Sequence, residues 1–108
     1  MLELNKDNFE NEVIKAAGTV VVDFWSESCE LCLELMPDYQ RIAEEYGDKL
    51  KFAKLDIKGS RRLAMSQQVM GLPSFVFYVD GKKSEHLSGE DLDAEELEKT
   101  VKEFYEQA

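Results

Sequence analysis

The sequence is poor in cysteine, proline and positive charge, and it has no long apolar run. Two cysteines in 108 residues cannot build a disulfide scaffold. No window of eighteen apolar residues occurs, so no membrane-spanning helix is expected. Lys and Arg number 13 against 23 Asp and Glu, and the resulting net charge of −10 disfavours nucleic acid as a partner. The one basic cluster, KGSRR at 58–62, reads as the solvated start of a helix. His86 is the only histidine, so a four-ligand zinc site within one chain is out of reach. The opening MLELNKDNFENEV has neither a basic flank nor an apolar core. No secretory leader is therefore expected, and the cytoplasm, where thiols stay reduced, is the expected compartment. Neither a Pro/Gly/Ser-rich linker nor an internal repeat divides the chain. Residues 1–108 read as one domain, and the acidic surface predicts a monomer.

What is present is a series of periodic segments separated by single glycines. Residues 5–17 predict a first helix, capped by Asn5 or Asp7, with Phe9, Val13, Ala16 and Ala17 on one face. TVVVDFW (19–25) is the continuous β-branched and aromatic run of a strand buried on both faces. From about Cys29 to Tyr46 apolar residues recur at helical spacing, and Pro37 predicts a kink. KLKFAKLDI (49–57) is a second core strand, followed by a short helix over 61–68. SFVFYV and KKSEHLS, joined at Asp80-Gly81, read as a hairpin. A last helix spans about 93–107, with Asp93 and Glu96 resembling a capping box. Helix-separated strands followed by a hairpin imply an α/β fold with a mixed sheet and helices on both faces.

Both cysteines lie in FWSESCELCLELMP (24–37), three positions apart, where the buried strand gives way to the long helix. Unpaired N–H groups and the partial positive charge of a helix N-terminus favour a thiolate at Cys29. Cys32, one turn on and deeper, is placed to close a small disulfide ring with it. The division of labour is then attack by Cys29 and resolution by Cys32. Other readings remain open: two buried apolar cysteines, or a metal or iron–sulfur site shared across a dimer. His86 is expected on a solvated edge strand, away from any active site. Asp23 stands in an apolar strand with no evident reason for burial. Such a carboxyl should hold its proton unusually well and could take the proton of Cys32. A structural hydrogen bond is the alternative role for it.

VVDFWSESCELCLELMP resembles the active-site segment of thioredoxins, and MGLPSFVFYVDGKK resembles their second signature. The likeness runs from about Leu4 to Phe104. It implies a thioredoxin fold, a three-layer α/β/α sandwich with a mixed sheet of four to five strands and four helices. It implies a thiol–disulfide oxidoreductase that reduces protein disulfides, with no bound cofactor and with electrons from a thioredoxin reductase. By the same resemblance Pro73 follows a cis bond, and Gly71 and Leu72 pair with an extended substrate segment. Lys54 matches the lysine near the buried acid, Trp25 packs beside the disulfide, and Gly89 lines the substrate groove. A thioredoxin-like binding module or redox sensor without turnover is the alternative.

The chain departs from the family where the chemistry is most exposed. Glu30-Leu31 replaces the usual Gly-Pro between the cysteines, Ser28 replaces the usual Trp, and Leu33 replaces a basic residue. Glu27, Glu30 and Glu34 surround the pair without a local cation. Their charge opposes the thiolate, which argues for a reductant and for a partner surface of its own.

Overall fold

Val20 to Phe24 are buried without a break, which a strand achieves only at the centre of a sheet covered on both faces. The computed structural model describes residues 1–108 and places this strand, β2 (Thr19–Trp25), in that position. The other strands are β1 (Leu2–Leu4), β3 (Lys51–Asp56), β4 (Ser74–Val79) and β5 (Lys82–Ser88). The sheet order is β1-β3-β2-β4-β5. β1 and β2 run parallel to β3, whereas β4 is antiparallel to β2 and β5 to β4. Three α-helices, α1 (Glu30–Tyr46), α2 (Arg61–Ser66) and α3 (Ala94–Gln107), join a single turn of π-helix at Glu10–Ile14. The expected mixed sheet with helices on both faces is what forms. The strand β1 is an addition: three residues are too few for the sequence pattern to reveal.

Alternation along the strands assigns side chains to two cores. Val20, Val22 and Phe24 face one way and pack with Phe9, Val13, Ala64, Val69, Val76 and Tyr78. Val21, with Phe75 and Phe77, faces α1 and α3 and meets Leu35, Tyr39, Ile42, Leu97 and Val101. Tyr39 is buried yet satisfied, because its hydroxyl donates to Val21 O at 3.1 Å and Ala53 O at 2.8 Å. α1 continues through Pro37 to Tyr46. α3 begins at Asp93, whose carboxylate accepts from Glu96 N at 2.8 Å, which is one half of the expected capping box; the return bond from Asp93 N to the Glu96 carboxylate does not form.

The first helix is shorter and wider than its apolar spacing predicts. Asn5 does cap it, accepting from the backbone N–H of Asp7 and Asn8. The α-type bonds from Phe9 N to Asn5 O and from Glu12 N to Asn8 O then give way to a bond from Lys15 N to Glu10 O. The Lys51 ammonium, 2.8 Å from Glu12 O, occupies the carbonyl that would bond Ala16 N in an α-helix. The segment ends at Gly18, with φ at +80°.

The hairpin turn is tied back to that segment. Asp80 and Gly81 both have positive φ, +49° and +81°, as a type I′ turn requires. Asp80 N donates to Gly18 O at 2.9 Å, and Asp80 Oδ1 accepts from Gly18 N at 2.8 Å. A Cβ on Gly81 would collide with the Ile14 carbonyl. Gly81→Ala combines this clash with a strained φ and is expected to cost about 2 kcal/mol, lowering the midpoint of thermal unfolding by about 10 °C. Thermal unfolding followed by circular dichroism checks it; an unchanged midpoint would show that the turn relaxes away from Ile14.

Candidate functional site

The strand registers bring four chain segments to one end of the sheet. Trp25 pairs with Asp56, and Phe24 with Ser74, which pairs in turn with Ser88. The turn after β2, the turn before β4 and the end of β5 therefore emerge together. They carry Cys29, Pro73 and Gly89 respectively.

The turn after β2 is built by serines. Cys29 N donates to Ser26 O at 3.1 Å, Ser28 N donates to Ser26 Oγ at 3.3 Å, and the two hydroxyls lie 3.0 Å apart. Cys29 is then the N-cap of α1, in extended conformation. Its Sγ accepts from Cys32 N at 3.2 Å, so a free N–H of the first helical turn points at the sulfur. Cys29 and Cys32 form a disulfide, with Cα atoms 5.2 Å apart. Cys32 is buried at 1% exposure and Cys29 only partly, so Cys29 presents the accessible sulfur. A pair of merely buried cysteines would not be arranged in this way. No three His, Cys, Asp or Glu side chains cluster as metal ligands.

Asp23 alternates with Phe24 and so shares with Val21 the sheet face that α1 covers. It is fully buried, and neither carboxylate oxygen has a hydrogen-bond partner. The structural hydrogen bond considered for it is therefore not present. Burial pushes its pKa up to about 8, against the opposing pull of Lys54. Lys54 lies directly across from Asp23 in the β2–β3 register. Its ammonium makes no ion pair with Asp23 but lies 3.6 Å from Glu3 and 5.7 Å from the centre of the Trp25 ring. Trp25 is half-buried at the end of β2 beneath this cation.

The Leu72–Pro73 peptide is cis, with Pro73 buried and Gly71 exposed. Beside this turn an open groove of about 310 Å³ is lined by Ile57, Ala64, Met65, Val69, Met70 and Leu72. Gly89 is exposed, with φ at +116°. His86 is on the edge strand β5, as expected, but it is half-buried there, and its Nε2 lies 3.0 Å from Ser74 Oγ, next to Pro73. No sequence signal marks this contact, because only the β4–β5 register makes Ser74 and His86 neighbours.

Asp23 gives the fold a specific pH dependence. Its folded-state pKa of about 8 lies above that of an ordinary aspartate, so the folded chain retains a proton that the unfolded chain releases. This contribution is complete below about pH 4 and is lost as pH rises through about 8. Stability should thus fall by on the order of 3 kcal/mol between about pH 5 and about pH 8. Asp23→Asn should flatten that slope and be the more stable form at the upper end. Urea unfolding of both proteins across the range checks this, and an undiminished slope in the variant would assign the proton elsewhere.

Comparison with known proteins agrees with this geometry. The family model described as thioredoxin matches residues 1–103. A thioredoxin of Acetoanaerobium sticklandii is 48% identical over 104 residues, covering 96% of this chain and 99% of that protein. A thioredoxin of Peptoclostridium acidaminophilum is 38% identical, covering 94% of this chain and 92% of its own length. Among solved structures, the thioredoxin of Malassezia sympodialis superposes with a TM-score of 0.86 at 26% identity, covering 97% of this chain and 91% of that one. A half-exposed cysteine capping a helix, its buried partner one turn on, and a match across almost the whole length leave one assignment: the chain belongs to the thioredoxin family of thiol–disulfide oxidoreductases.

Proposed function

We propose that this chain is a cytoplasmic protein-disulfide reductase, acting as a single-domain monomer and recharged by a thioredoxin reductase. The observation that carries the reading is the half-buried Cys29 sulfur, hydrogen-bonded by Cys32 N, above a buried Cys32. In the reduced protein the Cys29 thiolate attacks one sulfur of a substrate disulfide. A Cys29–substrate disulfide forms, the substrate S–S bond breaks, and the first substrate thiolate leaves to take a proton from solvent. Asp23, buried on the face that α1 covers, accepts the proton of Cys32 in its ionised form, the minor form below its pKa of about 8. The Cys32 thiolate then attacks the Cys29 sulfur and expels the second substrate thiolate, which takes a proton from solvent as Asp23 releases its own, closing the Cys29–Cys32 bond. The substrate gains two electrons from the pair and two protons by way of solvent, and the reductase returns the two electrons. The sulfurs themselves carry the electrons, so the cycle uses no prosthetic group.

The surrounding residues suit this cycle. Lys54 tunes Asp23 through its field. Gly71 and Leu72, before the cis Pro73, offer backbone to an extended substrate segment, with Trp25 and Gly89 on the rim. Exposed Glu27, Glu30 and Glu34 disfavour the thiolate and with it the dithiol state, which biases the pair toward donating electrons. They also favour a partner with cations around its disulfide.

Dithiothreitol-driven reduction of insulin tests the reading. The unmodified chain should accelerate it, and Cys29→Ser should abolish the acceleration. Cys32→Ser should keep the first attack and accumulate a mixed disulfide, visible by mass spectrometry under non-reducing conditions. Undiminished turnover in Cys29→Ser, or no reduction by the unmodified chain, would overturn the assignment.

A further inference from the structure

The segment Met70–Pro73 is tied to the rest of the fold by few hydrogen bonds, although Pro73 is buried and Leu72 packs on the core. None of its backbone N–H or carbonyl groups joins a backbone–backbone hydrogen bond, and one side-chain bond reaches it: Ser74 Oγ to Gly71 O at 2.6 Å. The backbone of Leu72 is thereby left free for an incoming strand, and its placement depends on how firmly Ser74 is held. Upstream, the loop is fastened at Gln67, whose carbonyl accepts from Lys83 Nζ at 2.8 Å and whose side chain accepts from Tyr78 OH at 2.7 Å.

Ser74 is fully buried, and its hydroxyl meets three groups: Gly71 O, His86 Nε2 at 3.0 Å and Ser88 Oγ at 3.3 Å. A serine hydroxyl has one proton and two lone pairs. The Gly71 carbonyl can only accept, and it is the closest, so it takes the proton. His86 must then donate its Nε2–H to a lone pair, while Ser88 Oγ, the more distant acceptor at 3.3 Å, competes only weakly for the proton. With its proton on Gly71 O and the His86 N–H on a lone pair, the hydroxyl is held in orientation from both sides. Burial and the nearby Lys83 hold the His86 pKa below the ordinary histidine value, consistent with a neutral ring carrying its proton on Nε2.

From this juxtaposition we infer that His86 is a positioning residue for the Gly71–Pro73 turn, acting through Ser74, and that it lowers the cost of ordering that turn around a protein substrate. The inference rests on the proposed disulfide-reductase reading, in which this turn pairs with substrate. Ser74, Val76, His86 and Ser88 share one sheet face through the β4–β5 register, opposite the face carrying Asp23. His86 therefore acts on substrate placement from the side of the sheet away from the sulfur chemistry. A substrate too small to pair with the turn should not sense it.

The test compares the unmodified chain with His86→Ala and His86→Gln, the latter restoring an N–H donor. Order parameters of the Gly71 and Leu72 amides from ¹⁵N relaxation should drop in His86→Ala and recover in His86→Gln. With insulin as substrate, His86→Ala should raise KM about fivefold at unchanged kcat, the size expected when a segment must be ordered on binding. The rate with bis(2-hydroxyethyl) disulfide should stay the same in all three proteins. Unchanged order parameters in His86→Ala, or no recovery in His86→Gln, would overturn the role of His86 in holding the turn. A loosened turn without a change in KM, or an equal loss with the small disulfide, would overturn its link to substrate placement. If the unmodified chain reduces neither substrate, the reductase reading fails, and the relaxation data still decide whether His86 holds the turn.

Discussion

The burial of β2 on both faces is the constraint from which the rest of the site follows. Covered on each side and paired along both edges, this strand can place its residues in only one way. Its alternation sends Phe24 to one core and Asp23 to the other. Its C-terminal end delivers the chain to the serine turn that starts α1. A slip of one residue would move Asp23 to the face away from α1 and bury Phe24 where the acid now sits. Strand register thus accounts at once for the packing of the hydrophobic cores and for the placement of the acid.

The site is supported from two sides that differ in chemistry. On the face of α1 and α3 the environment is apolar around a carboxyl without partners, and the consequence is a proton held to about pH 8. An ionised group in that position lowers stability, since burial without a hydrogen bond or close ion pair opposes the charge. Lys54 lies across the register but is drawn toward Glu3 and the Trp25 ring, so it moderates that effect without cancelling it. On the opposite face the polar groups are fully matched, with Ser74 joined to Gly71, His86 and Ser88. The two faces therefore differ: one buries a carboxyl without hydrogen-bond partners, the other a hydroxyl with three.

Where sequence reasoning succeeded, the signal was local. The apolar run of β2, the Asp80-Gly81 turn, the Asp93 cap and the spacing of the two cysteines each reflect a preference spanning a few residues. Where it fell short, distant segments decided the outcome. The π-turn at Glu10–Ile14 is accompanied by a contact no local pattern encodes: Lys51 reaches across from β3 to the Glu12 carbonyl. The strand β1 depends on β3 for its only partner, since three residues have no stability as an isolated strand.

The sequence by itself determined the element types from β2 onward, the location of the Cys29–Cys32 pair at a strand-to-helix junction, and the anomaly of an aspartate inside an apolar strand. These follow from periodicity and from side-chain chemistry, which are properties of neighbouring residues. The tertiary structure decided which groups meet: that Asp23 has no hydrogen-bond partner, that Lys54 turns to Glu3, and that His86 reaches Ser74 beneath the Gly71–Pro73 turn. Those outcomes depend on the register between strands and on the helices that cover them, and no local pattern encodes a contact between residues so far apart in the chain.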